Sequence, residues 1–193
     1  MLFKALRHFG LAMVAVLPAL QHTARAQAPC GTSCMTMVSG AVNGQTWTTA
    51  MSPVCVTGDL FVNSLTINPG VCVRIAPGVA INVQGSIVAN GTPSQRIIFT
   101  AQIPPSRWNG IEFLNTPPGS SFAYCTFELS NSSALGIGGF TAPVIENCIF
   151  RDNTTGGSGG AVSATLSAGN LVIVDTIIED TNPATKQLTS AFG

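Results

Sequence analysis

Histidine is almost missing from this sequence. Only His8 and His22 occur, and both fall in a segment that reads as an export signal. Lys4 and Arg7 form a short basic start, and "FGLAMVAVLPAL" is an apolar stretch too short to span a bilayer. Ala24 and Ala26 then supply the small residues that precede a cleavage site. Cleavage after Ala26 leaves a chain with no imidazole, which excludes histidine triads, histidine general bases and histidine-ligated metals within it. An uncleaved anchor is the competing reading. No second apolar run of spanning length follows, so the mature chain is expected to have no integral membrane span.

Charge is scarce too, at 8% of residues. Once residues 1–26 are removed, Arg74, Arg96, Arg107, Arg151 and Lys186 face eight acids, a net charge of about −3 (5 − 8). No basic patch remains to attract nucleic acid or an anionic membrane. Long helical runs are also lacking. The chain carries 20 glycines and 12 prolines, and they separate β-prone runs of roughly four to six residues. Prolines at this density disfavour a helical solenoid.

What is present is a repeat. "FAYCTFEL" (122–129), "IENCIFRD" (145–152) and "IVDTIIED" (173–180) align without gaps. Phe122, Ile145 and Ile173 coincide, as do Tyr124, Asn147 and Asp175, and then Phe127, Phe150 and Ile178. The offsets are 23 (145 − 122) and 28 (173 − 145). "RIIFT" (96–100) reads as an earlier copy, with Phe99 in the slot of Phe127. "GIEF", "GIGG" and "AVSA" place Ile111, Ile137 and Val162 in a second common slot. Such a period, built from short strands, points to a parallel β-solenoid with three strands per coil and about four to five coils. Loops absorb the varying offsets. Asn147 and its equivalents are expected at a bend, where a short amide tolerates left-handed backbone. Arg151 and Asn153 are expected to face water. An antiparallel sandwich is the competitor, but it does not predict in-register repetition of residue types.

The expected organisation is a signal peptide at 1–26 and an irregular N-terminal cap at 27–57. A β-helix follows at 58–181, with a tail or truncated coil at 182–193. "INPGVCVRI", "GSIVANGTPSQRIIFTA" and "RWNGIEF" resemble coils of bacterial secreted right-handed parallel β-helix repeat proteins, the pectate-lyase-like fold. "FRDN" (150–153) and "GGAV" (159–162) are similar to short motifs of polymorphic outer-membrane protein passengers. The resemblance implies an all-β, right-handed parallel β-helix and export to the extracellular space or outer cell surface.

Six cysteines, Cys30, Cys34, Cys55, Cys72, Cys125 and Cys148, all follow the cleavage site and are disulfide candidates. Cys55 with Cys72 reads as one bridge. Cys125 and Cys148 share a slot on adjacent coils, either as stacked thiols or as a cross-coil disulfide. No C-x-x-C pair supports a thiolate metal site.

Glu128, Arg151 and Glu179 stack on the outer surface of successive coils. As chemistry, the resemblance to polysaccharide lyases makes Arg151, Asp152 and Asp180 the catalytic candidates, and Asp152, Glu179 and Asp180 the Ca²⁺ candidates. As structure, the same residues form a surface ionic ladder, and an arginine beside acids stays protonated and is a poor base. Asp152 and Asp180 also occupy equivalent slots, as a paired-carboxylate hydrolase would require. Trp108 is either an exposed sugar platform or a wedge at a coil corner. The expectation is an exported, non-catalytic scaffold of the cell surface or matrix without a cofactor. Its partners are polysaccharide or other cell-surface proteins. A Ca²⁺-dependent lyase-like domain and an autotransporter-type passenger fragment are the alternatives.

Overall fold

The computed structural model describes residues 30–154, 160–166 and 171–179. The signal segment, Asp180 and the 182–193 tail lie outside the described residues. The first rung is β1 (Thr36–Val42) and β2 (Gln45–Trp47), and the second is one long bent strand, β3 (Val54–Ile67). β4 (Cys72–Ile75) and β5 (Ile81–Asn90) make the third. β6 (Ile97–Ala101), β7 (Ile111–Leu114) and β8 (Ser121–Ala123) make the fourth. The fifth is β9 (Cys125–Glu128), β10 (Leu135–Gly139) and β11 (Val144–Glu146). The sixth is β12 (Ile149–Arg151), β13 (Val162–Leu166) and β14 (Val172–Val174), and β15 (Ile177–Glu179) starts another.

The named strands pair parallel with strands of the neighbouring rungs, on both sides in the middle of the stack and on one side for β1, β2, β13, β14 and β15 among the described residues, and three faces result. The chain is therefore a parallel β-solenoid that winds about five turns from the first rung to the sixth. Among the described residues no helix is long and apolar enough to cross a membrane, which leaves β-barrels unaddressed.

Register explains the core. Phe127 lies opposite Phe99 on one side and Phe150 on the other, and Phe150 lies opposite Ile178. The rings stack with centroids 5.0 Å (Phe99–Phe127) and 4.8 Å (Phe127–Phe150) apart and nearly parallel planes. These distances match the ~4.8 Å spacing of adjacent strands. Phe122 meets Phe99, Phe113 and Phe127 edge-on from another face. Ile145 lies between Phe122 and Ile173, as the repeat requires.

The corners follow from backbone chemistry. Tyr124, Asn147 and Asp175 all have positive φ, at 49°, 51° and 46°. The Asn147 N–H donates to Val174 O at 2.9 Å, so the bend itself is bonded along the stack. A second corner repeats in Leu129 and Asp152, with φ of 62° and 54°. In β5 the bend passes through Gly85, where a Cβ would sit 2.0 Å from Asn63 O. Only glycine allows that approach.

Three expectations need correction. Leu135, not Ile137, lies opposite Ile111 and Val162, while Ile137 pairs with Phe113 and Ala164. A two-residue slip keeps every side chain on its own side, so alternation could not reveal it. Cys55 does not bridge Cys72. Cys55 lies opposite Arg74, two residues beyond Cys72, and such a diagonal exceeds disulfide reach. The bridges are Cys30–Cys72 and Cys34–Cys55. Both fix residues 30–34 as a strap across the outer surface of β3 and β4. Finally, Asn153 does not face water. It is buried, accepting at Oδ1 from Ser130 N–H (3.0 Å) and Ser130 Oγ (2.9 Å) and donating from Nδ2 to Phe127 O (3.0 Å).

The ends differ. Trp47 in the first rung is fully buried, whereas the inward Ile173 and Ile178 of the last described strands are each 39% exposed.

The positive φ at Asn147 gives a direct stability test. Asn147→Gly should change unfolding free energy by less than about 0.5 kcal/mol, because glycine enters this region freely. Asn147→Val should lose about 2 kcal/mol or more. Urea unfolding of the two variants checks the order; equal losses would contradict the bend.

Candidate functional site

The charged column on the outer surface forms as expected. Arg151 is opposite Glu128 and Glu179. Its guanidinium meets Glu128 at 2.6 Å, with the arginine side chain 45% exposed. A solvated pair of this kind contributes about 0–1 kcal/mol. Asp152 takes the positive-φ corner, and its carbonyl accepts a bond from Arg107 Nη1. Of the candidates, the structure thus brings Arg151, Glu179 and Asp152 to neighbouring positions on two rungs. Among the described residues no group of three or more His, Cys, Asp or Glu could hold a metal ion.

Trp108 is a wedge. Its ring is fully buried, its Nε1–H donates to Glu128 O at 2.8 Å, and its backbone bridges Ser130. With Ser130 and Asn153 it fills one corner over three rungs.

Three other arginines act as braces, a role that sequence reading missed. Arg74 is buried and donates to Thr32 O in the strap and to Gln102 O. Arg96 donates to Cys125 O (2.8 Å) and Asn147 O (2.6 Å), tying two consecutive corners, and its Nε reaches Thr126 Oγ1. Desolvation lowers its pKa. Arg107 donates to Ser130 O at 3.1 Å and to Asp152 O. Each guanidinium fork thus gathers main-chain carbonyls from different rungs or loops. The one sequence signal is their scarcity: a chain with few cations has little reason to keep arginine at a coil corner.

On another face Glu112 lies opposite Gly136, and a Cβ at Gly136 would sit 2.1 Å from its Oε2. The carboxylate lies flat on the glycine and is half-buried. That burial raises its pKa.

Cys125 and Cys148 are buried free thiols. Of the two readings left open by the sequence, this is the stacked pair.

No family model matches the chain, and neither a curated protein nor a solved structure matches it. The chemistry is therefore read from the geometry alone.

Two expectations follow. Asn153→Ala strands the Ser130 N–H and Phe127 carbonyl and should cost about 2–3 kcal/mol, against about 0–1 for Arg151→Ala. Urea titrations at low ionic strength compare them, and a larger loss for Arg151→Ala would reverse the assignment. For Glu112, the folded state holds the proton more tightly than the unfolded state. Stability is therefore lost as pH rises from the ordinary carboxylate value through the raised folded one. Melting curves of wild type and Glu112→Gln should converge near about pH 3, with the variant higher near about pH 7. A wild type that outlasts the variant at neutral pH would contradict this.

Proposed function

We propose that this chain is an exported β-solenoid scaffold of the cell surface or extracellular matrix, adhesive or structural rather than catalytic. The observation that carries this reading is the use made of its charged residues. Arg151 is paired with Glu128, and Arg74, Arg96 and Arg107 are spent on main-chain carbonyls. Two disulfides suit an oxidising compartment outside the cytosol, in agreement with the signal-like start. The partners of such a scaffold are polysaccharides or other surface proteins. Exposed Leu114 and Phe140 provide apolar contacts for them. Kinship with secreted β-helix repeat proteins belongs to this proposal and rests on the solenoid architecture and the quoted motifs.

The experiment is incubation of the purified chain with polyuronates, with and without Ca²⁺, followed by absorbance of unsaturated products. No turnover above the buffer rate is expected. Cleavage that Arg151→Ala abolishes would replace the scaffold with a lyase.

A further inference from the structure

The inward thiols of Cys125 and Cys148 are free cysteines that neither the ionic ladder nor the scaffold reading uses. Both side chains are fully buried. They occupy one slot on consecutive rungs, since Thr126, beside Cys125, pairs with Ile149, beside Cys148. Their surroundings repeat as well. Cys125 Sγ–H lies 3.1 Å from Ala89 O and 3.5 Å from Ala123 O. Cys148 Sγ–H lies 3.5 Å from Phe122 O and 3.3 Å from Glu146 O. Ala89 and Phe122 are themselves partners, so one thiol is the other displaced by a rung. A displacement of ~4.8 Å lies within the Cα range of disulfides, about 4.4–6.8 Å.

The two sulfurs are not equivalent chemically. Arg96 donates to the carbonyl of Cys125 and to that of Asn147, the residue before Cys148, which places a cation beside the pair. The hydrogen bond from Cys125, joined by Arg96, lowers the pKa of Cys148, whereas burial pushes Cys125 well up.

Access differs too. Cys148 is covered by the last described turn: its N–H donates to Thr176 Oγ1 at 3.3 Å, and Ile177 N–H donates to Cys148 O at 2.9 Å. Among the described residues β15 pairs on one side only, and Ile177 is 52% exposed. A strand with this few buried apolar side chains opens locally more readily than a core strand.

We propose that Cys125 and Cys148 are a redox-active dithiol–disulfide pair that staples the fifth rung to the sixth. Opening of β15 uncovers Cys148, whose thiolate attacks a disulfide-class oxidant and expels one of its sulfurs as a thiolate. Cys125 gives up its proton, attacks the Cys148 sulfur of the mixed disulfide and expels the second. One S–S bond forms and one breaks. The pair loses two protons and two electrons, and the oxidant becomes a dithiol or two thiols.

The test equilibrates the purified chain in oxidised and in reduced glutathione, quenches with acid, alkylates and maps the bridges by mass spectrometry. Oxidised buffer should yield a Cys125–Cys148 cross-linked peptide and raise the melting midpoint by about 6–12 °C. Reduced buffer should reverse both while Cys30–Cys72 and Cys34–Cys55 persist. Two thiols that stay free in oxidised glutathione, or glutathione adducts that never resolve, would overturn the proposal. Cys125→Ala should accumulate an adduct at Cys148, and Cys148→Ala should react at least ~10-fold more slowly at Cys125. Equal rates would overturn the order of attack. The wild-type map decides the bridge even where a variant fails to fold.

Discussion

Parallel strands stacked in register at about 4.8 Å are the constraint on which everything else in this molecule depends. Once two rungs are in register, every slot on one faces the same slot on the next. A phenylalanine must then tolerate another above it, and the Phe99–Phe127–Phe150 column does so by stacking almost flat. Aromatic pairs of this kind contribute about 0.5–1.5 kcal/mol beyond the area they bury. The same rule sets the corners, because a bend at one rung obliges a bend at the next. It also sets the surface, where Arg151 must meet what lies above and below it.

The repetition was legible in sequence because it is a repetition of residue types. Phe122, Ile145 and Ile173, and the bend at Tyr124, Asn147 and Asp175, are where the aligned segments place them. Three kinds of feature were hidden. Ile137 lies two residues from the slot that its alignment with Ile111 suggests, because strand periodicity is blind to even slips. The burial of Asn153 is hidden because a polar residue after an exposed arginine looks solvated in sequence. Asn153 turns inward because the corner at Asp152 breaks the alternation. The disulfides were hidden because the strap that carries Cys30 and Cys34 has no repeat to align, and its path is set by tertiary contacts such as Arg74 to Thr32.

The candidate site follows the same logic. The column of Glu128, Arg151 and Glu179 could be read from the alignment, since outward slots repeat as faithfully as inward ones. Its chemical meaning could not, because an arginine poised over a substrate and an arginine in a surface ion pair have the same spacing. The braces at Arg96 and Arg107 depend on which carbonyls the corners expose, and that is a property of backbone geometry. Arg74, Arg96 and Arg107 hold rungs and loops together through main-chain carbonyls, and that use of the cations is what joins the fold to the proposed scaffold role.

The most direct measurement of in-register stacking is a pair of double-mutant cycles on unfolding free energy, with leucine replacing phenylalanine. Phe127 and Phe150, one rung apart, should couple by about 0.5–1.5 kcal/mol, whereas Phe99 and Phe150, two rungs apart, should be additive within about 0.3 kcal/mol. Additivity at the first pair, or coupling at the second as large as at the first, would contradict the stacked-rung account.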